Sequence, residues 1–168
     1  WIICQWIMWS GGLATSDRNI VITGFMGTGK TTVGRLVAEH LGRPFVDTDA
    51  EIMQHTSMSI PEIFAKEGET GFRHIERRLC RFLAAQRGLV IATGGGMLVD
   101  AGNRMVMLAS SLVVCLTASA EIIEARLKDE ADERPLLRGD WRALLEQRRA
   151  AYNVIPVQIN TTGQTPEQ

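Results

Sequence analysis

Short apolar runs alternate along the chain with longer segments in which apolar residues recur at helical spacing. The apolar runs are rich in Val, Ile and Leu, which is typical of buried strands, and they lie at 19–23, 44–46, 89–92, 112–116 and 157–159. Helical spacing predicts helices at 30–41, 60–66, 69–86, after Ser119, and at 141–152. Strands that alternate with helices indicate βαβ units, and therefore an α/β fold with a parallel sheet covered on both faces.

The two helices predicted between the second and third strands carry clear local signals. Ser59 with Glu62 three residues later forms a capping box for the helix at 60–66. The helix at 69–86 needs one apolar face to bury against the sheet. Its predicted buried face consists of Phe72, Ile75, Leu79 and Phe82.

Composition places the chain among soluble globular domains. It has 168 residues, of which 45% are hydrophobic and 22% charged, as expected for one domain with an ordinary core. No apolar run approaches the roughly 20 residues of a membrane-spanning helix. A net charge of −1 provides no basic field for nucleic acid or for an anionic membrane. We therefore expect small-molecule partners, with no nucleic acid and no membrane.

The charged residues and the cysteines indicate which ligands the protein favours and which kinds of site it lacks. The chain has 15 Arg against 3 Lys, and the planar guanidinium group suits contacts with carboxylates and phosphates. Cys4, Cys80 and Cys115 are odd in number and form no CxxC pair. This pattern argues against a disulfide framework or a zinc site and favours a reducing, cytoplasmic location. The histidines likewise show no metal-ligand spacing.

Residues 1–15 form a Trp-rich segment unlike the rest of the chain. Trp1, Trp6 and Trp9 lie in it, and it lacks the basic start of a signal peptide. We interpret it as an extension outside the fold, so that the domain covers residues 16–168. An apolar partner-binding tail is the alternative interpretation.

A glycine-rich loop between the first strand and the first helix carries the sharpest chemical signal. From Gly24 to Thr31 it reads GFMGTGKT, a full match to the pattern G-x-x-x-x-G-K-[ST]. Backbone N–H groups of such a loop and the helix N-terminus surround phosphate oxygens. Lys30 can reach the β- and γ-phosphates, and the Thr31 hydroxyl can bind Mg²⁺. A glycine-rich turn that matches by chance is the alternative.

Two carboxylates follow the second strand. Asp47 and Asp49 stand at the edge of the sheet where open α/β folds bind ligands. One of them can bind Mg²⁺ and the other can hold an acceptor hydroxyl. Capping of a helix N-terminus, for which Asp is well suited, explains the same pair equally well.

A run of three glycines follows the third strand. Gly94, Gly95 and Gly96 cost backbone entropy on folding, which makes sense where the backbone must approach a ligand closely. A flexible turn is the alternative.

Three arginines in separate elements are further candidates. Arg73 and Arg148 lie on predicted helices, where an arginine is most often a solvated surface residue. Arg134 lies in the segment 130–140, which is charged, lacks apolar periodicity and reads as a loop. A mobile loop that carries an arginine can close over phosphates.

In their order along the chain, these motifs resemble those of the shikimate kinase family. The glycine-rich loop at 24–31, called the P-loop below, comes first and Asp-x-Asp at 47–49 second. They are followed by Phe-Arg at 72–73, the three glycines, Arg-Pro-Leu-Leu at 134–137 and Arg-x-x-x-Tyr at 148–152. The resemblance covers about residues 19–166. It implies a P-loop kinase with three layers, α/β/α, a central parallel sheet and a mobile lid. The implied reaction is the transfer of phosphoryl from ATP to the 3-hydroxyl of shikimate, in aromatic amino acid biosynthesis.

The resemblance implies a substrate site with distinct roles for its residues. Asp49 would bind the shikimate hydroxyls and orient or deprotonate the one that attacks, which makes it a catalytic residue. Arg73 and Arg148 would bind the carboxylate. The three glycines would line the pocket, with Gly95 in direct contact with the substrate.

The resemblance also implies an ATP site. Its residues near the phosphates would be Gly27, Thr28, Gly29, Lys30, Thr31, Thr32 and Arg134, and those near the adenine Arg126 and Gln164. Lys30 and the lid residue Arg134 would neutralise charge on the phosphates and act as catalytic residues. The implied metal is Mg²⁺, bound by Thr31 and, through water, by Asp47.

Two other functions remain open from the sequence. One is a gluconate-type or other small-metabolite P-loop kinase. Two arginines and Asp49 favour a hydroxylated carboxylic acid as substrate, but they do not specify which acid. The other is a regulatory domain that senses a ligand without turnover. The presence of Lys30, Asp49 and Arg134 argues against this function.

The family's fold closes with a further helix, whereas this sequence stops at Gln168. We therefore expect a truncated C-terminal helix, and the sequence leaves open whether the full-length chain is fused to another pathway enzyme.

Overall fold

A five-stranded parallel sheet forms the middle layer of the protein. In the computed structural model, which describes residues 17–128 and 140–166, the strands are β1 (Asn19–Gly24), β2 (Phe45–Asp47), β3 (Val90–Ala92), β4 (Ser111–Thr117) and β5 (Val157–Asn160). Their order is β2-β3-β1-β4-β5, and every neighbouring pair is parallel. The five strands predicted from apolar runs are confirmed, with their ends shifted by at most one residue.

Helices cover both faces of this sheet. They are α1 (Lys30–Leu41), α2 (Thr48–Thr56), α3 (Ile60–Ala84), α4 (Ala101–Ser110), α5 (Ala120–Lys128) and α6 (Trp141–Asn153). Alternate residues of β1 enter two different hydrophobic cores, one on each face of the sheet. On one face, Ile20 and Ile22 pack with Val37 of α1. Val21 packs on the opposite face in a larger cluster with residues of α3, α4, α5 and α6. The predicted α/β/α layering is confirmed.

Helix α3 bends where the sequence predicts a gap between two helices. The predicted helices at 60–66 and 69–86 form one element, interrupted at Gly68, whose φ of 70° and ψ of 179° are not helical. Only glycine adopts this conformation readily. The predicted capping box is also present, because the Ser59 hydroxyl accepts from the backbone N–H of Glu62 and the Glu62 carboxylate accepts from the backbone N–H of Ser59.

The predicted buried face of α3 is partly wrong. Phe82 is 62% exposed, and Leu83 is buried in its place. At about 100° per residue, position 83 returns to within about 20° of Phe72, whereas position 82 lies about 80° away. The residues of α3 beyond Gly68 that are buried are Phe72, Glu76, Cys80, Leu83 and Ala84.

Two helices, α2 and α4, have no counterpart among the predicted elements. Helix α2 begins after Asp47, whose Oδ1 accepts from the backbone N–H groups of Asp49 and Ala50 at 3.1 and 3.3 Å. Helix α4 begins after Asp100, whose Oδ1 accepts from the backbone N–H of Asn103 at 3.0 Å. Each of them buries only one apolar side chain, Ile52 in α2 and Met107 in α4. Their apolar periodicity is therefore weak, and the aspartate caps are the signals that could have located them.

Three features singled out in the sequence lie outside the described residues. They are the Trp-rich segment 1–15 with Cys4, most of the predicted lid, and Arg134 within it. Between residues 17 and 128 and from 140 to 166, no helix is long and apolar enough to cross a membrane.

The two described cysteines are structural. Cys80 and Cys115 are buried and free. Burial raises the pKa of the Cys80 thiol to about 12 and that of Cys115 to about 11. Both thiols are therefore protonated at neutral pH and unreactive.

Candidate active site

The chain segments that follow β1, β2 and β3 meet at one edge of the sheet. Strand β3 lies between β2 and β1, and Ala92 near its end pairs with both Asp47 and Ile22. The glycine-rich loop after β1, the Asp-x-Asp segment after β2 and the three glycines after β3 therefore adjoin. This is the carboxyl edge, where open α/β sheets bind ligands.

The glycine-rich loop has the backbone that a phosphate-binding loop requires. Gly27 and Gly29 have φ values of 73° and 91°, in the left-handed region that favours glycine. The carbonyl oxygen of Phe25 accepts from the Thr28 hydroxyl at 2.7 Å and from Lys30 Nζ at 2.8 Å. Lys30 thus lies along the loop at the start of α1, with its ammonium group beside the loop's own backbone.

One carboxylate joins the P-loop to the Asp-x-Asp segment. Oδ2 of Asp47 accepts from the Thr31 hydroxyl at 2.8 Å, while Oδ1 caps α2. The capping interpretation of Asp47 is therefore confirmed, and it leaves the second oxygen directed at the P-loop. Asp49 does not cap the helix and lies in its first turn.

The three glycines bring together the side chains predicted to bind substrate. A Cβ on Gly94 would meet the carboxylate of Asp49, and a Cβ on Gly96 would lie 2.6 Å from Nη1 of Arg73. A Cβ on Gly95 would lie 3.7 Å from Nη1 of Arg148 and 3.5 Å from the carbonyl oxygen of Gly24. Three helices, α2, α3 and α6, thus direct one charged side chain each at this triplet. At Gly94 and Gly96 a Cβ would meet these side chains, which favours the interpretation that the backbone must be approached closely here.

Arg73 is held by two carboxylates of its own helix. Its Nη1 donates to Glu76 at 2.6 Å and its Nη2 donates to Glu69 at 3.2 Å. Burial alone would lower the pKa of Arg73, but the hydrogen bonds and charges of Glu76 and Glu69 raise it. Glu76 is 1% exposed, and burial raises the pKa of its carboxyl against the opposing hydrogen bond of Arg73. The side chain of Arg73 is fixed at one end of the glycine triplet.

Arg148 is buried beside Gly95, the middle residue of the triplet. It is 8% exposed, so the solvated-surface interpretation is wrong for this residue. Its guanidinium carbon lies 6.0 Å from the centre of the Phe25 ring, within the range of a cation–π contact. Phe25 belongs to the P-loop, so this arginine lies between the P-loop and the glycine triplet.

Arg126 contacts the other end of the P-loop. Its Nη1 donates to the carbonyl oxygen of Gly27 at 3.1 Å, and its Nη2 donates to that of Thr161 at 3.2 Å. Gln164 is exposed and its backbone N–H donates to Thr161 at 3.3 Å. The structure therefore places Arg126, on α5, between the P-loop and the segment beyond β5, and Gln164 lies on that segment. Arg134 lies outside the described residues.

Three residues of this region escaped the sequence analysis: Glu76, Tyr152 and Thr161. Glu76 is an acidic residue at a buried helix position, and Thr161 binds the carbonyl oxygens of Thr28 and Thr117. Tyr152 was quoted only as part of a motif. A charged residue on the buried face of an amphipathic helix is the one signal that could have identified Glu76.

The described part of the chain, 17–128 with 140–166, holds no group of three or more His, Cys, Asp or Glu placed to bind a metal. His40, His55 and His74 are exposed, as expected from their spacing. The oxygen atoms of Thr31 and Asp47 are the ligand type that Mg²⁺ prefers.

The chain is similar to proteins of one family over most of its length. The family model described as shikimate kinase matches residues 26–168. The shikimate kinase of Geobacter sulfurreducens is 44% identical over 164 residues, which cover 95% of this chain and 90% of the relative. That of Pelotomaculum thermopropionicum is 42% identical over 155 residues, which cover 90% of each chain.

Solved structures agree with this similarity. The shikimate kinase of Acinetobacter baumannii in complex with shikimate has a TM-score of 0.79 and 40% identity, covering 88% of this chain and 83% of that one. A gluconokinase from Sinorhizobium meliloti has a TM-score of 0.55 at 19% identity, covering 90% and 86%. The second likeness shows a shared kinase fold alone.

Proposed function

The chain belongs to the shikimate kinase family, and on that premise we propose how each residue of the site serves the family's reaction. The reaction is the transfer of the γ-phosphoryl group of ATP to the 3-hydroxyl of shikimate, which gives shikimate 3-phosphate and ADP. One observation carries the assignment of roles. The glycine triplet beside the P-loop is contacted by one carboxylate and two guanidinium groups, from three different helices. This is the polarity that a hydroxylated carboxylic acid requires.

We assign the acceptor hydroxyl to Asp49. Its carboxylate lies against the backbone of Gly94, and the backbone N–H of Gly94 donates to the Thr48 hydroxyl at 2.8 Å. The helix start and the glycine backbone therefore fix this carboxylate together. A fixed carboxylate can accept the proton of a hydroxyl and aim its oxygen at the γ-phosphorus.

We assign the carboxylate of shikimate to Arg73 and Arg148. They contact the triplet at Gly96 and Gly95, so both face the same glycines as Asp49. A guanidinium binds a carboxylate through two parallel hydrogen bonds, which fixes the orientation of the ring as well as its position. Orientation matters because one ring hydroxyl of several must reach Asp49.

The phosphates of ATP are assigned to the P-loop and to α1. Gly27, Thr28, Gly29 and Thr32 would contribute backbone and hydroxyl donors, and the N-terminus of α1 presents its positive end there. The Lys30 ammonium group donates to the Phe25 carbonyl oxygen at 2.8 Å, and its other two N–H groups can donate to the β- and γ-phosphates. Arg134 would add positive charge when its segment closes and excludes water, which competes with the hydroxyl as acceptor.

The residues at the start of α1 fit a bound Mg²⁺. The Thr31 hydroxyl oxygen and Oδ2 of Asp47, which are 2.8 Å apart, are both possible metal ligands. Mg²⁺ is commonly held by one or two protein oxygens together with phosphates and water. Thr31 would bind the ion directly and Asp47 through water. The ion would supply positive charge where negative charge is shared between β- and γ-oxygens.

A cytoplasmic location is proposed from the cysteines alone. Cys80 and Cys115 are free in the structure, and free thiols persist in a reducing compartment.

A coupled assay of ADP release, with and without shikimate, tests the proposed function. Release that depends on shikimate supports it. Release that depends on gluconate or another acid instead would favour a different small-metabolite kinase. Ligand binding without ADP release would indicate a regulatory domain.

Replacing Arg148 tests the carboxylate assignment most cleanly. A hydrogen bond to a charged group contributes about 1.5–3 kcal/mol, so Arg148→Ala should raise the KM for shikimate about 10- to 150-fold at 1.36 kcal/mol per decade. Arg148→Lys should be nearly as harmful, because an ammonium group cannot make two parallel hydrogen bonds. The KM for ATP should hardly change. Arg73→Ala gives a less clean result, because it also leaves the buried carboxylate of Glu76 without its partner.

Arg78→Ala is the matched control, because Arg78 is an exposed arginine on the same helix as Arg73. It should leave both KM values unchanged. An unchanged KM for shikimate in Arg148→Ala would remove the basis for placing the carboxylate here.

A further inference from the structure

The last turns of α6 carry a tyrosine that none of these roles uses. Tyr152 is 5% exposed and follows Arg148 by four residues, on the same face of the helix. Its hydroxyl donates to the carbonyl oxygen of Gly95 at 2.6 Å, across 57 residues of sequence. One hydroxyl therefore ties α6 to the middle of the glycine triplet.

Tyr152 also contacts Arg148. Burial raises the pKa of the phenol to about 12, against the charge and the hydrogen bond of Arg148, which lower it. The phenol is therefore protonated at neutral pH. The phenol O–H donates to the Gly95 carbonyl oxygen, and the lone pairs of the phenol oxygen can accept a hydrogen bond from the guanidinium group of Arg148. The phenol group thus links Arg148, which lies beside it, to the Gly95 carbonyl oxygen, to which it donates.

The two arginines of the site are thus held by different chemistry. Arg73 donates to the carboxylates of Glu76 and Glu69, which share its positive charge. Arg148 lies beside a neutral phenol and the neutral ring of Phe25. The carboxyl of Glu76 interacts more strongly with Arg73 than with Arg148. A neutral acceptor fixes the direction of a guanidinium without cancelling its charge, so the charge remains for an anion.

The Gly95 peptide is the second group that Tyr152 fixes. A Cβ on Gly95 would lie 3.7 Å from Nη1 of Arg148 and 3.6 Å from the backbone nitrogen of Met26. The glycine is thus packed between the arginine and the P-loop. A hydrogen bond to its carbonyl oxygen sets the plane of the peptide that faces the substrate.

We propose that Tyr152 is a positioning residue of the carboxylate end of the site, which holds Arg148 and the Gly95 peptide in one geometry before substrate binds. The inference rests on the proposed role of Arg148. It gives the tyrosine of the Arg-x-x-x-Tyr motif a function of its own: preorganisation of a cationic group through a neutral partner.

A double-mutant cycle with Arg148→Ala and Tyr152→Phe tests this inference. Tyr152→Phe removes one oxygen atom and keeps the buried ring. The dissociation constants of shikimate and of ATP are measured by titration calorimetry for both single variants and the double variant. We expect Tyr152→Phe to weaken shikimate binding about 5- to 10-fold in the native background. In the Arg148→Ala background its effect should be clearly smaller, because residues that act through one another are not additive, and the effect that remains reports the Gly95 peptide alone. ATP binding should not change.

Ser110→Ala is the matched control, since the Ser110 hydroxyl also donates to a backbone carbonyl oxygen, that of Val106 at 3.0 Å, at the opposite end of the sheet. It should leave shikimate binding unchanged. Equal weakening by Tyr152→Phe in both backgrounds, equal loss of ATP affinity, or no loss of shikimate affinity would each overturn the inference. If Arg148→Ala itself leaves shikimate binding intact, the carboxylate assignment fails first. If Arg148→Ala weakens binding and Tyr152→Phe does not, only this inference fails.

Discussion

Lys30→Ala should reduce kcat about a thousandfold or more while leaving the protein folded. The ammonium group stabilises charge that grows on the phosphoryl oxygens during transfer, and removal of one such preorganised donor costs about 100- to 1,000-fold in kcat. For a charged donor at the transferred group we expect the upper end, which corresponds to roughly 4 kcal/mol. The measurement is kcat at saturating ATP and shikimate.

The fold should survive this substitution for a reason visible in the loop. The carbonyl oxygen of Phe25 accepts from Thr28 at 2.7 Å as well as from Lys30, so the loss of the ammonium group leaves it hydrogen-bonded. The thermal midpoint should therefore change little. Lys66→Ala is the control, because Lys66 is an exposed lysine whose contact with Glu67 is 3.9 Å. Turnover close to that of the native protein in Lys30→Ala would refute the P-loop assignment.

Asp49→Asn should produce the second large effect. The substitution preserves the shape that packs against Gly94 but removes the negative charge that would orient the acceptor hydroxyl and take its proton. General base catalysis contributes about 100- to 10,000-fold, so kcat should fall by at least about 100-fold. ATP binding should be little changed, because the phosphates are assigned to the P-loop.

Steady-state kinetics with each substrate varied in turn separates these effects. Glu51→Gln is the control: Glu51 is another acidic residue in the first turn of α2 and is paired with His55 at 3.8 Å. It should keep native kcat. A kcat for Asp49→Asn within about threefold of native, well under 1 kcal/mol, would remove Asp49 from this role and redirect attention to Asp47.

Most of the fold follows from local patterns in the sequence. The apolar runs predict each strand of the sheet, and the glycine-rich loop is predicted between β1 and α1, where the structure has it. Two local predictions failed for local reasons. Phe82 is exposed because the helical repeat of α3 brings Leu83 inward. Helices α2 and α4 are not revealed by periodicity because each buries a single apolar side chain.

The chemistry of the site divides in a similar way. The types of residue in the site were predictable from the sequence. A glycine-rich loop with a lysine suits a phosphate, and arginine suits a carboxylate. Their partners were not predictable. Glu76 binds Arg73, and Arg148 lies beside Tyr152 and Phe25. Both arrangements depend on which helix faces lie against the sheet.

The sequence by itself determined the five strands, the helices α1, α3, α5 and α6, the P-loop and the identity of the charged candidates. The tertiary structure alone decided that Asp49, Arg73 and Arg148 meet at one glycine triplet. The physical reason is that capping and periodicity act over a few residues. The meeting of α2, α3 and α6 at this edge depends instead on the strand order β2-β3-β1-β4-β5, which is fixed by how the whole chain buries its apolar faces.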